Sequence, residues 1–397
     1  MSGLSSRILS LDESATIKMA QLSRDLRSQG KDIVDLSLGE PDFDTPANIR
    51  EAAKRAIDEG YSHYTPVAGY NDVRSAIVEK FKRDNGLDYN IQEIVISNGA
   101  KQSIINVVLC LVNPGEEVLL PAPYWVSYRA MVQLAEGKPI SIPTSIENDF
   151  KISPNQLREA ITSKTKLIIF SSPCNPTGSV YSKSELEALS EVILEYNDLY
   201  VVSDEIYEHI NFTGNHASMA AIKGMHDRVI TINGLSKAYA MTGWRLGYLG
   251  APLEIAKACD KMQGQYTSAA NSITQRAVIE ALTGDQSARN EMKEAFMRRR
   301  EFVYKALEEI DGIKHNMPEG AFYFFPDLSN FFGKRFGDNV IENADDLCMY
   351  LIREGGLSLV TGNAFGDPNC IRISYAASEE TLKEALSRLK NALGKLQ

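Results

Sequence analysis

The chain has 397 residues, 44% of them hydrophobic and 24% charged, which is ordinary for a soluble globular protein and long enough to expect two domains. Its net charge of −10 argues against a nucleic-acid binder, because neutralising phosphates takes clustered Lys and Arg. No run of about 18 apolar residues marks a membrane span, and the opening stretch with Arg7, Asp12, Glu13 and Lys18 lacks the apolar core of a signal peptide. The cysteines Cys110, Cys174, Cys259, Cys348 and Cys370 are odd in number and form no Cys-x-x-Cys pair, which suits reduced thiols in a cytoplasmic protein.

The first helix is expected over 14–29, stopped by Gly30, and a short strand over 33–38 leads into Gly39-Glu40-Pro41-Asp42-Phe43. Thr45-Pro46 then reads as an N-cap followed by proline at the first helical position, in a helix ending at Gly60. Between 93 and 249 the rhythm changes. Apolar runs at 93–97, 117–120, 166–170, 199–203, 229–232 and 246–249 alternate with helical stretches. Strands apolar at nearly every position are buried on both faces, the mark of a largely parallel sheet covered by helices. Ser182-Lys183-Ser184-Glu185 is a capping box opening one of those helices.

A charged helix over 285–310 follows. Its Met297-Arg298-Arg299-Arg300 cluster, beside Glu291, Glu294 and Glu301, reads as a salt-bridged exposed face. Strands at 322–325, 357–360 and 371–375 with helices near 343–354 and 378–393 complete a smaller α+β unit. The expected division is an N-terminal segment 1–45 packing on the small domain, a large domain 46–290, and the small domain 291–397.

Several polar signatures fall just after the buried strands, the edge where open α/β sheets bind ligands. Ser236-Lys237 is the most informative, with Arg245 eight positions on in Ala238-Tyr239-Ala240-Met241-Thr242-Gly243-Trp244-Arg245. A lysine that forms an imine needs a depressed pKa, hence a pocket that removes water and holds positive charge nearby. Ser97-Asn98-Gly99-Ala100-Lys101 joins strand to helix and offers unpaired backbone N–H groups to an anion, or is an ordinary turn. Asn175-Pro176-Thr177-Gly178 is a rigid turn that aims an amide at a ligand oxygen, or a plain Asn-Pro turn.

Asp204-Glu205-Ile206-Tyr207 puts a carboxylate at a strand end, either as a turn residue or as partner to a protonated pyridine nitrogen. Trp125 after Pro121-Ala122-Pro123-Tyr124 is a stacking platform or a core anchor. Arg372, in an alternating strand, is a solvent-facing charge or a bidentate carboxylate clamp. The five histidines show neither metal-ligand spacing nor a nucleophile partner, so no metal is expected.

Together these motifs resemble the class I/II aminotransferases of the fold-type I pyridoxal-phosphate enzymes, closest to the aspartate aminotransferase branch of bacteria and archaea. The similarity runs from Ser14-Ala15-Thr16 through Gly39-Glu40-Pro41-Asp42-Phe43 to Arg372-Ile373-Ser374. It implies an α/β fold: a large domain with a mostly parallel seven-stranded sheet between helices, plus a smaller α+β domain. It also implies pyridoxal 5'-phosphate bound to Lys237 as an aldimine, with that lysine shuttling the proton in a ping-pong transamination. Asp204 would pair with the pyridine nitrogen, Asn175 and Tyr207 with the phenolic oxygen, and Trp125 would stack on the ring. Gly99, Ala100, Ser236 and Arg245 would bind the phosphate, joined by Tyr64 of a neighbouring subunit in a homodimer. Arg372 would grip the substrate α-carboxylate with the Gly39 backbone and Asn175, while Lys101, Ser14 and Thr16 would receive a distal carboxylate.

The expected reaction moves the amino group of aspartate to 2-oxoglutarate. Relatives that transaminate prephenate often carry a basic residue just ahead of Ser14, where Asp12 and Glu13 stand here. Alternatives are aromatic or prephenate specificity, a lyase or decarboxylase using the same electron sink, and a transcription regulator, which the acidic charge disfavours.

Overall fold

The computed structural model describes residues 3–397. Seven strands form its central sheet: β1 (Ile94–Ser97), β2 (Glu117–Pro121), β3 (Lys138–Ile142), β4 (Thr165–Ser171), β5 (Tyr200–Asp204), β6 (Val229–Gly234) and β7 (Gly247–Gly250). They lie in the order β1-β7-β6-β5-β4-β2-β3. In this sheet β7 runs antiparallel to both its neighbours, and the other pairs are parallel.

The apolar runs follow from burial on both faces. Ile94, Ile96, Ile168 and Phe170 join one core, whereas Val95, Leu167 and Ile169 join the other, as the two-residue period of a strand requires. Only six strands stand out as such runs. The seventh, β3, pairs along one side only, carries Pro139, and leaves Lys138 and Ser141 exposed. An edge strand with proline has no reason to read as apolar.

The C-terminal part holds a three-stranded antiparallel sheet with Ile371–Ser374 between Val360–Thr361 and Tyr323–Phe324. The run expected as one strand at 357–360 is split. Leu357–Ser358 pairs instead with Val34–Asp35, so the early chain is stitched in parallel to this region. Helices Ala15–Ser28, Ala344–Glu354 and Glu379–Leu393 lie close to where the apolar period puts them, and Ser182 and Glu185 form their reciprocal cap on Lys183–Leu194.

Two expectations are corrected. Thr45 does not cap the helix Ala47–Asp58; its hydroxyl donates to the Ala240 carbonyl at 2.7 Å, and Pro46 occupies the cap. The arginine cluster is an exposed face only in part: Met297 and Arg298 are exposed and Arg300 pairs with Glu301, but Arg299 is not on that face. Successive helical residues turn by about 100°, so within Ser287–Glu308 the Arg299 side chain points inward, buried. It makes a two-pronged pair with Asp42 at 2.7 and 2.9 Å and stacks 4.9 Å over Phe43. Arg300 donates to the Pro318 carbonyl at 3.1 Å. Arg299 thus fastens the loop that carries Gly39. Arg299→Leu is expected to destabilise the fold by about 1–2 kcal/mol, because it removes the two-pronged pair and leaves the part-exposed Asp42 without its partner; a thermal melt checks this.

Candidate active site

Strands β1, β4, β5 and β6 point the same way, so their C-terminal ends share one edge. The loops leaving them deliver Ala100, Lys101, Asn175, Asp204, Tyr207, Ser236 and Lys237 to one cleft, which Trp125, Tyr128, Thr242 and Arg245 also line.

The anion end of the cleft is built from β1 and β7. Gly99 precedes the helix Ala100–Leu111, which has no side-chain cap, so its first N–H groups remain available to a ligand. Gly99 has φ +91°, and a Cβ there would stand 2.5 Å from Arg245 Nη2. Glycine is therefore needed both for the backbone and for the approach of the guanidinium. Arg245 is held by the Thr242 carbonyl at 2.8 Å and reaches the Asn98 carbonyl at 3.4 Å.

Lys237 follows β6, and its Nζ donates to the Gly39 carbonyl at 2.5 Å. Its amine is pushed down to about 8, first by burial and then by the positive charges of Arg372 and Arg245, against the pull of Glu40 and Asp204. Asp204 ends β5 fully enclosed. Burial lifts its carboxyl to about 6, opposed by hydrogen bonds from the Tyr128 hydroxyl at 2.7 Å and the Ile206 N–H at 3.3 Å. Tyr207 exchanges a 2.7 Å hydrogen bond with Tyr323, whose hydroxyl fills the space a side chain at Gly39 would need.

Arg372 is not on a solvent face. Ile371–Ser374 is the middle strand of its sheet and buried throughout. The guanidinium donates to Asn175 Oδ1 at 3.0 Å and to the Ser37 carbonyl at 2.5 Å, between the rings of Tyr323 and Phe365. Its Nε is buried with no hydrogen-bond partner among the described residues, a donor left for something else.

Lys101 lies 5.0 Å over the Trp125 ring and opens onto a second cavity shared with Asp12, Glu13, Ser14 and Arg129. Thr16 sits half-buried in the first turn of Ala15–Ser28 and is not among that cavity's walls. Tyr64 is 98% exposed and stands outside the cleft of its own chain.

Three side chains of the site were not singled out in the sequence. Tyr128 and Tyr323 look like core aromatics, and Thr242 like a loop filler. The signal for Tyr128 is its place one turn beyond Trp125, with which it packs edge to face at 5.5 Å. Together the cleft offers an amine of depressed basicity, a buried carboxylate and an anion cradle with an arginine. That donor set fits a planar, phosphate-bearing aldehyde with a ring nitrogen.

Comparison with known proteins agrees. The family described as aminotransferase class I and II matches residues 31–389. A bifunctional aspartate aminotransferase and glutamate/aspartate-prephenate aminotransferase of Petunia hybrida is 48% identical over 98% of this chain and 82% of its own. The aspartate aminotransferase of Rhizobium meliloti has a crystal structure with a TM-score of 0.96 at 40% identity, covering 99% of both chains. That of Thermus thermophilus with maleate gives 0.93 at 39% identity, over 99% of this chain and 100% of that one. With the sheet, the cleft and the full-length likeness in agreement, the chain belongs to the class I and II aminotransferases.

Proposed function

We propose that this aminotransferase uses pyridoxal 5'-phosphate to move the amino group of L-aspartate to 2-oxoglutarate, giving oxaloacetate and L-glutamate. The observation that carries the reading is the Lys237 amine, depressed to about 8 and set in one cleft with the Asp204 carboxylate. The cofactor, when bound, supplies an electron sink for the substrate α-carbon.

The chain's own residues do the rest. Gly99, Ala100, Ser236 and Arg245 hold the phosphate. Trp125 covers the ring face, and Asp204, steadied by Tyr128, matches a protonated ring nitrogen. Tyr207 and Asn175 present polar atoms to the phenolic oxygen. Lys237, once free, carries a proton to and from the α-carbon as general base and acid. Arg372 takes the α-carboxylate, with Asn175 and the Gly39 backbone beside it. Lys101 with Ser14 and Thr16 receives the distal carboxylate; the maleate of the Thermus thermophilus structure is a dicarboxylate of this kind.

The same proposal includes a cytoplasmic homodimer, in which the exposed Tyr64 reaches the partner's phosphate site, and a division into residues 1–45, 46–290 and 291–397. Tyr64 is 98% exposed and so free to meet a partner's surface. Prephenate as a further acceptor is favoured by the Petunia hybrida relative and by Arg129, a cation in the cavity that holds Asp12 and Glu13.

A panel of amino donors against 2-oxoglutarate, with prephenate as a second acceptor, tests the reading. Aspartate should lead, with oxaloacetate formed one for one. In the same panel Lys101→Ala should cut kcat/KM for aspartate about 100-fold and leave an apolar donor within about threefold. Equal losses for both donors would remove the assignment of Lys101.

A further inference from the structure

Behind the cleft lies a buried group of charges that the proposed chemistry does not use. After β5, Asp204 and Tyr207 line the cleft, whereas Glu205 and Glu208 do not. Glu205 is wholly buried; it accepts from Ser218 at 2.6 Å, Ser203 at 2.9 Å and Asn85 at 3.1 Å, and pairs with His216 Nε2 at 2.8 Å. Glu208 is bound by the buried Lys80 ammonium, by Asn85 at 2.8 Å and by His209 at 3.1 Å. His216, Ser218 and Asn85 also line a polar cavity of about 1000 Å³, which gives the group a route to solvent protons.

A buried ionic cluster is weak evidence for stability, since well-packed apolar residues would serve that purpose as well. Its effect has to be sought in what it faces. Glu205 is the neighbour of Asp204 in the chain, and its negative charge pushes the Asp204 carboxyl towards the protonated form. The opposing cation is His216. Burial works against its charged form, yet Glu205 and then Glu208 raise it above its ordinary value, with Lys80 acting the other way.

The remaining charges around the pair are accounted for. Burial would raise Glu208, but Lys80, His209 and His216 keep it well below the usual carboxylate range. His209 is pushed down to about 4, chiefly by burial and also by Lys80 and Arg289, against Glu208 and Asp84. Tyr89 also faces Glu205, and burial holds its hydroxyl protonated. Tyr128 and Lys237 act on Asp204 from the cleft side.

We propose that the Glu205–His216 pair is a positioning device for the reaction, setting how firmly Asp204 keeps its negative charge and therefore how far into acid the enzyme works. It rests on the reading of Asp204 given above. A protonated His216 offsets part of the field of Glu205 at Asp204. Without that cation the glutamate is uncompensated, and Asp204 takes up its proton at higher pH. Without the glutamate charge, Asp204 stays ionised to lower pH.

The test is an acid titration of the holoenzyme, following the visible cofactor band, pyridoxal phosphate retained on dialysis, and kcat/KM. His216→Gln should move the acid limb of all three up by about one pH unit, and Glu205→Gln should move it down by a similar amount. Opposite signs support the proposal; a shared direction, or no shift, overturns it, because loosened packing would not invert with the sign of the charge removed. Should Glu205→Gln fail to fold, the reciprocal measurement decides. By linkage, the His216 NMR titration should fall by about half a unit or more in Asp204→Asn, and an unmoved titration overturns the proposal. The same Asp204→Asn protein separates the two readings. If its band and cofactor retention titrate like wild type, the role of Asp204 falls and this inference with it. If they change while the two charge variants do not, the inference alone falls.

Discussion

Lys237→Ala is expected to abolish the visible band of the holoenzyme and to lower turnover by about 10⁴-fold or more, because on the proposed reading one side chain both anchors the cofactor and moves the proton. Absorbance after addition of pyridoxal phosphate, with a coupled oxaloacetate assay, measures both effects. The depressed amine adds a pH signature. In cofactor-free wild type the neutral amine is the form that attacks the aldehyde, so capture should speed up as pH rises towards about 8 and level off above it. Full turnover by the alanine variant would defeat the reading, as would borohydride fixing the label to another residue.

Arg372→Leu should lower kcat/KM for aspartate by about 10³-fold, in line with removing one partner of a buried charged hydrogen bond. Arg372→Lys should recover only part of this, since an ammonium cannot replace a planar fork between two rings. The check is a half-reaction with an amine that lacks an α-carboxylate, run beside aspartate. That amine should be nearly indifferent to the substitution. A matching loss for both would mean that the arginine serves only to tie Asn175 to Ser37.

Much of this was legible in the sequence, for reasons that also explain what was not. Strands buried on both faces write themselves as apolar runs, and the turns after them carry the polar residues that the fold gathers in one cleft. β3 is an edge strand and wrote no such run. Tyr128 and Tyr323 bond to partners 76 and 116 positions away, a relation that no local pattern holds. Arg299 and Arg372 mislead in the same manner: each sits in a pattern normally turned to water, and each is drawn inward by a partner distant in the chain. Charge in an apolar setting marks a fixed partner, but only the fold names it.

The antiparallel β7 has a geometric consequence. It places one strand between β1, which leads to the Gly99 cradle, and β6, which leads to Lys237; β5, ending in Asp204, is the next rail along. Neighbouring rails stand about 4.8 Å apart. On the proposed reading, the pitch of the backbone ladder acts as a ruler, helping to set the distance between the anion cradle and the reactive amine.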